Sequence, residues 1–295
     1  MIRIKIIAVA VIVSIVTLGF GGVYVLSEAR FRDVTLEAKF DHPISTDAAS
    51  IEHGRHIART RGCFGCHGQQ LEGQDFGKQW DWPERAVAPN LAVYARDHDA
   101  ATMEAAVRQG IGADGQALVS MPSFNFARLS DEDTAALIAF LKSAPVVESD
   151  LPKPELGWAV RWMFVTGNEK HMAWWADRVP PLRVNAEAEP RLARGEYMAL
   201  TMCNECHGLD VRGFTLWEPY LPDLAMVAAI SRQDFETLIK TGIGIGGRDL
   251  ELMGLVAPDR FPELSDQEID DLYAYLSSLI NEPPAEGVFW RPDIQ

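Results

Sequence analysis

The sequence predicts an all-α protein, with two tandem helical domains behind one N-terminal transmembrane helix. Three observations predict this fold class: an uncharged run near the N-terminus, an internal repeat, and apolar residues spaced for helical faces without an alternating strand pattern. The 295 residues leave room for two domains. The formal net charge of −15 opposes binding to phosphates, so we expect no nucleic-acid partner.

The first predicted element is a membrane anchor. Arg3 and Lys5 precede 21 uncharged residues at 6–26, and about 20 apolar residues span a bilayer core. A secretory signal peptide has a shorter apolar region that ends in a small-residue cleavage site, which VLSEAR does not supply. We therefore predict an uncleaved anchor over 1–27 that contacts the membrane through 6–26. Because basic residues before a span stay inside, we expect a single pass through the cytoplasmic (inner) membrane, with the remaining chain on the periplasmic or outer side.

The rest of the chain contains one unit of about 100 residues twice. Three segments recur in the same order: 50–73 with 190–213, 107–124 with 239–256, and 129–143 with 264–278. These matches predict a polar tether over 28–49, a first domain over 50–145, a connecting strap over 146–187, a second domain over 188–283, and a C-terminal tail over 284–295.

Helix-start signals recur in both units. Ser130 with Asp133 and Ser265 with Glu268 have the spacing of N-terminal caps, and the second pair is a full capping box. Apolar residues behind each cap fall on one helical face. The last helix also holds the densest acidic cluster, made of Asp266, Glu268, Asp270 and Asp271.

The strap between the domains is rich in proline and tryptophan. It holds four of the eight tryptophans: Trp158, Trp162, Trp174 and Trp175. Flexible linkers are not this aromatic. We therefore favour an ordered strap packed between the two domains, and the alternative is that some tryptophans edge a cofactor or a partner.

Two motifs account for every cysteine in the chain. Cys63, Cys66 and His67 form one C-x-x-C-H motif, and Cys203, Cys206 and His207 form the other. This spacing lets two thiols add to the vinyl groups of one haem while the histidine ligates the iron. A zinc site would need the two pairs much closer together, and a thioredoxin-like dithiol would need a βαβ setting.

A second axial ligand completes such an iron site. Met121 and Met253 are the candidates, because each lies 11 residues after an equivalent glycine, Gly110 or Gly242. A methionine opposite a histidine raises the reduction potential and closes the iron to small ligands. Met226 competes in the second unit. In the first unit, the alternative is that His53 or His56 takes the place of Met121 as the second axial ligand.

Each half resembles the small, Met/His-ligated monohaem cytochrome c domain over roughly 46–145 and 186–283. The resemblance rests on C-x-x-C-H, the Gly-Ile-Gly segment, the methionine and the Leu-Ser-Asp helix. It implies two covalently attached haem c groups, with iron held by His67 and Met121 in one domain and by His207 and Met253 in the other. It also implies that the carbonyls of Pro89 and Pro222 accept hydrogen bonds from the proximal histidines.

The whole chain resembles the membrane-anchored multihaem cytochrome c subunits of periplasmic alcohol, gluconate and related dehydrogenases. Those subunits commonly hold three haem domains and a C-terminal anchor, whereas this chain has two domains and an N-terminal one. The resemblance implies single-electron relay between a periplasmic dehydrogenase or quinol-oxidising complex and a terminal oxidase or soluble cytochrome, with no catalytic residue of its own. The alternatives are a di-haem enzyme of peroxidase or thiosulfate-oxidising type, and a redox or gas sensor.

Negative charge is unevenly distributed between the units. Residues 50–145 carry 12 acidic and 9 basic side chains, whereas 186–282 carry 18 and 7. This difference predicts a lower potential for the second haem, because negative charge favours the ferric state. It also suggests steering toward a basic partner, and the alternative is a plain solvated surface.

Overall fold

The computed structural model describes residues 2–35, 40–77, 84–214 and 221–284. The predicted fold class is confirmed, since the described chain is mostly helical, with an N-terminal apolar helix followed by two helical domains. Part of the predicted tether, and the predicted tail beyond residue 284, lie outside the described residues.

Thirteen α-helices occur in the described residues, together with short 3₁₀ and π turns. They are α1 (Ile2–Arg32), α2 (Ala48–Thr60), α3 (Cys63–His67), α4 (Leu91–Asp97), α5 (Ala100–Glu104), α6 (Asp131–Ser143), α7 (Trp158–Thr166), α8 (Met172–Ala176), α9 (Pro190–Met202), α10 (Asn204–His207), α11 (Arg232–Thr241), α12 (Leu252–Arg260) and α13 (Asp266–Ser278).

Eight very short strands form four antiparallel pairs among the described residues. The pairs are β1 (Gln74–Asp75) with β3 (Val87–Ala88), β2 (Glu84–Arg85) with β4 (Glu155–Leu156), β5 (Arg212–Phe214) with β6 (Leu221–Asp223), and β7 (Ile243–Gly244) with β8 (Arg248–Asp249). Strands of two or three residues leave no alternating pattern to find in a sequence, which is why the sequence did not indicate them.

Helix α1 is longer than the predicted anchor. It continues to Arg32, five residues past the predicted end at 27. Its most apolar window has a mean hydropathy of 2.6 and is not buried by the rest of the chain, and α1 is the one described helix that is long and apolar enough to cross a membrane. A membrane anchor and a signal sequence both have this character.

A crossing of two helices organises each domain. In the first domain α2 crosses α6, and a Cβ at Gly54 would collide with the carbonyl oxygen of Ala136. In the second, α9 crosses α13, and a Cβ at Gly195 would collide with the carbonyl oxygen of Asp271. Glycine therefore lets the two backbones touch in both copies.

Both predicted helix caps are present. The Ser130 side chain accepts a hydrogen bond from the backbone N–H of Asp133, and Ser265 accepts one from Glu268. The Glu268 carboxylate in turn accepts a hydrogen bond from the backbone N–H of Ser265, so the second start is a complete capping box.

The strap is ordered and contacts more than the two domains. Its helix α7 packs along α1, and α8 packs on the 3₁₀ turn at Ser123–Asn125 in the first domain. Its last residues reach the second domain, where the backbone N–H of Val184 donates to the buried Glu196 carboxylate at 2.9 Å. The strap therefore contacts α1, the first domain and the second domain.

Candidate functional site

Each C-x-x-C-H motif forms a single helical turn directly behind the first helix of its domain. The motif turn is α3 in the first domain and α10 in the second. The first domain has one additional residue here, because Gly54 lies nine residues before Cys63 whereas Gly195 lies eight before Cys203. Gly62 supplies the additional residue with a φ of 81°, a left-handed conformation that suits glycine.

The two motif histidines have the same hydrogen bond. Nδ1 of His67 lies 2.8 Å from the carbonyl oxygen of Pro89, and Nδ1 of His207 lies 2.9 Å from that of Pro222. A carbonyl only accepts, so each Nδ1 carries the proton and each Nε2 keeps its lone pair. Burial lowers the pKa of both imidazoles, although the hydrogen bond to the carbonyl opposes this effect. The lowered pKa favours the neutral imidazole, which is the form that ligates iron.

The four cysteines are free, and burial keeps them as neutral thiols. Burial, with a smaller contribution from the neighbouring cysteine of each pair, raises the pKa of Cys63 and of Cys203 to about 12. The pKa of Cys206 rises to about 11 and that of Cys66 also rises, in both cases through burial first and Glu205 second.

This donor set fits a covalently attached haem. Each motif offers two thiols that are not in a disulfide, together with one imidazole. Its Nδ1–H donates a hydrogen bond to the proline carbonyl, which leaves the lone pair of Nε2 to ligate a metal. The carbonyl behind each histidine fixes the ring tautomer and orientation, as outer hydrogen bonds commonly do for metal-ligating histidines.

The two candidate methionines occupy unlike settings. Met121 precedes Pro122 on a loop without helix, whereas Met253 lies in the first turn of α12 and packs on the core of the second domain. Gly242 touches the backbone of Met253 and Gly254, but Gly110 touches Met172 and Ala173 of the strap. The glycines that looked equivalent in sequence therefore have different neighbours.

The competing ligands are either exposed or paired with carboxylates. The side chain of Met226 is 53% exposed. Nε2 of His53 lies 2.7 Å from Asp133, and Nε2 of His56 lies 2.7 Å from Glu268 across the domain boundary. Both histidines therefore direct to carboxylates the nitrogen that an iron would need.

The two motifs lie close together across the domain interface. Arg260 of α12 forms an ion pair with Glu205, inside the second motif, at 3.0 Å. Its guanidinium also rests on the backbone of Gly62, beside the first motif, where a Cβ would collide with it. Burial raises the pKa of all four thiols, and the positive charge of Arg260 opposes that rise at each of them. A single cation therefore lies between both predicted attachment sites.

Polar contacts join the motifs further. The Asn204 side-chain amide, next to Cys203, donates to the backbone oxygen of Asn125 at 3.2 Å, four residues from Met121. The buried Arg61 donates to Thr201 at 3.2 Å. The Asn125 amide and the Arg61 Nε have no hydrogen-bond partner among the described residues, although both are buried.

Sequence reasoning missed this junction. Arg260 lies on α12, and the described residues of the first domain contain no counterpart of α12 from which the repeat could have indicated its role. Asn204 occupies a variable position of C-x-x-C-H, where the pattern assigns no function.

Comparison with known families identifies the class of protein. A model of the cytochrome c family matches residues 51–145 and 192–279, which together exceed half of the chain. The chain belongs to the cytochrome c family. It therefore carries covalently bound haem c and transfers electrons.

Among characterised proteins, the chain is similar to subunits of one kind of enzyme. The cytochrome c subunit of the quinone alcohol dehydrogenase of Gluconacetobacter polyoxogenes is 26% identical over 278 residues, covering 82% of this chain and 58% of that protein. The same subunit from Komagataeibacter europaeus gives the same values. That from Gluconobacter oxydans (strain 621H) is 30% identical over 187 residues, covering 59% of this chain and 37% of that protein. The chain thus spans less than two thirds of these relatives' length.

Proposed function

We propose that the chain is a membrane-anchored di-haem cytochrome c that relays single electrons on the periplasmic side of the cytoplasmic membrane. The observation that carries this proposal is the junction of two C-x-x-C-H motifs, each with a carbonyl-fixed imidazole, around Arg260. Two attachment sites held together at one interface suit transfer between them, because electron transfer falls steeply with distance.

In the proposed relay, haem supplies the one-electron oxidation and reduction of its iron. Cys63 and Cys66 would hold one haem by thioether bonds, and Cys203 and Cys206 the other. His67 with Met121, and His207 with Met253, would ligate the irons. The carbonyls of Pro89 and Pro222 hold each imidazole in one tautomer and one orientation, and burial keeps it neutral.

The relatives support a dehydrogenase as the electron donor, because they are subunits of a quinone alcohol dehydrogenase. We propose that a periplasmic dehydrogenase or a quinol-oxidising complex reduces this cytochrome. A terminal oxidase or a soluble cytochrome would then take the electron onward.

A haem count and a carbon monoxide spectrum test the proposal. Two haems per chain, both low-spin with the far-red Met–iron band and indifferent to carbon monoxide, are expected. One haem per chain would contradict the di-haem relay. A high-spin haem that binds carbon monoxide would favour a peroxidase-type enzyme instead.

Two matched variants assign the methionines. Met121→His and Met253→His should each lower the potential of a different wave in a redox titration, because imidazole favours ferric iron more than thioether does. Met226→His is the control and should move neither wave. The same titration orders the haems, and we expect the second to have the lower potential. A variant that left both waves in place would remove that methionine from the ligand set.

A further inference from the structure

Helix α7 of the strap lies alongside the anchor helix α1 and runs in the same direction. Three contacts in succession set this arrangement. The rings of Trp158 and Phe20 meet edge-on at 4.9 Å between centroids. Arg161 pairs with Glu28 at 2.8 Å, and the rings of Phe164 and Phe31 meet edge-on at 4.8 Å.

The charged group of α7 is turned toward α1. Besides Glu28, the Arg161 guanidinium donates to the Ser27 hydroxyl at 2.7 Å and lies 4.5 Å from the ring centre of Tyr24. Val160 and Phe164 are buried on the same side. The charged side chain and the buried apolar side chains of α7 therefore all contact other parts of the protein.

The face of α7 that is turned away from Arg161 and Phe164 is apolar and about half exposed, and one edge of it, at Trp158, reaches Phe20 of α1. The side chains of Trp158 and Trp162 are 48% and 55% exposed, and their spacing of four residues places them on one face of the helix. Ala159 and Thr166 are the other exposed residues of α7. Two neighbouring exposed tryptophans form an apolar patch that a water-facing helix does not normally carry.

The position of this tryptophan patch along the length of α1 indicates which environment contacts it. Trp158 contacts Phe20, which lies six residues before the end of the uncharged run at residue 26. Six residues correspond to about 9 Å of helix. The strand pair just before α7 carries Glu84, Arg85 and Glu155, which need water or headgroups. Helix α7 therefore begins beside the apolar part of α1, but the charged strand pair prevents it from entering the hydrocarbon region more deeply.

We propose that α7 is a second membrane contact, which lies in the outer headgroup region with Trp158 and Trp162 against lipid. Tryptophan is enriched at this depth because its ring is apolar and its N–H is polar. The inference rests on the proposed membrane anchor, with which the patch is continuous. Together the two helices would hold the cytochrome domains at a set height and tilt.

Photo-labelling of the haem-loaded full chain tests this inference. The chain is placed in nanodiscs of phosphatidylethanolamine and phosphatidylglycerol that contain a lipid with a diazirine on its acyl chain. Trypsin then separates the relevant segments after Arg161, Lys170 and Arg178. Trp158, Trp162 and the Trp174–Trp175 pair therefore end in three different peptides, and the last is an internal control from the same strap.

We expect the Trp158 and Trp162 peptides to be labelled several times more than the Trp174–Trp175 peptide. Trp162→Asp should lower the labelling of its own peptide and leave that of α1 unchanged. Labelling of α1 with background labelling of both α7 peptides would overturn the inference while leaving the anchor intact, and would favour a protein partner on this face. No labelling of α1 would overturn the anchor as well. The haem count of the same sample reports on the relay separately.

Discussion

At the scale of single residues, Arg260 stands out because one cation lies beside both haem-attachment motifs. Burial opposes its positive charge, but the Glu205 carboxylate raises the pKa of Arg260, so the group stays charged. A positive charge near an iron stabilises the ferrous state. In the proposed di-haem relay, Arg260 would therefore raise the reduction potential of both centres.

Arg260→Gln should lower both reduction potentials. A unit charge at about 10 Å in an effective dielectric near 20 is worth about 1–2 kcal/mol, and Glu205 stays in place in this variant, so we expect a shift of roughly 40–90 mV. Redox titration measures this shift. The double variant Glu205→Gln/Arg260→Gln removes both charges and should restore most of it.

Arg55→Gln is the matched control for this prediction. Arg55 also crosses the domain interface, where it pairs with Glu263 at 2.9 Å. Unlike Arg260, it is not among the charges that shift the pKa of the motif thiols. Equal shifts in the Arg55 and Arg260 variants would mean that loosening of the interface, rather than local charge, moves the potentials.

At the scale of elements, the helix crossings make two separable predictions. Gly54→Ala forces a methyl group into the α6 backbone, and Gly195→Ala forces one into α13. Each should destabilise its own domain by about 3 kcal/mol, in the manner of overpacked cores. Haem count and thermal unfolding measure the result.

The two variants control for each other. Gly54→Ala should reduce haem loading at Cys63 and Cys66 only, and Gly195→Ala at Cys203 and Cys206 only. Peptide mass spectrometry separates these outcomes. Equal loss at both motifs in either variant would show that the domains fold as one unit rather than as two crossings.

The sequence predicted those features that repeat or that obey local rules. The caps at Ser130 and Ser265 follow from side-chain chemistry within three residues, so both could be located without a structure. The hydrogen bonds to Pro89 and Pro222 could be expected from a family pattern. Helices α7 and α12 each occur only once, so their contacts have no matching segment in the other repeat that could indicate them in the sequence.

The acidic cluster on α13 shows a limit of reasoning from charge alone. Asp271 is buried and pairs with Arg194 at 2.6 Å, and Asp270 pairs with Arg232 at 2.7 Å. Glu268 pairs with His56 of the other domain. Three of the cluster's four carboxylates therefore pair within the protein, whereas the Asp266 side chain is 85% exposed. A dense acidic run in a sequence does not by itself identify a steering surface.

At the scale of the whole molecule, the joint between the domains should be sensitive to acid. Burial raises the pKa of Glu268, but the hydrogen bonds from His56 and Ser265 outweigh it and lower that pKa to about 2. A carboxyl with a depressed pKa stabilises the folded state above its unfolded pKa of about 4.5, and this contribution disappears as pH falls toward about 2.

Thermal unfolding between about pH 6 and pH 2 tests this prediction. The difference in stability between the native chain and Glu268→Gln should be on the order of 2–3 kcal/mol at neutral pH and should vanish toward pH 2. Glu263→Gln, at an exposed pair on the same boundary, is the control. A constant difference across the range would mean that ionisation of Glu268 does not support the joint.

The end of helix α1 has a consequence for how partners would meet this cytochrome in the proposed relay. The carbonyl of Phe31 accepts a hydrogen bond at 2.7 Å from the backbone N–H of Ala117 in the first domain, and the Phe31 ring is buried with Val160 and Phe164. A carrier on a loose tether searches all directions for its partner. If α1 anchors the chain as proposed, a cytochrome held this firmly would present a single face, and its productive encounters would depend on lateral diffusion and on the partner's own height above the bilayer.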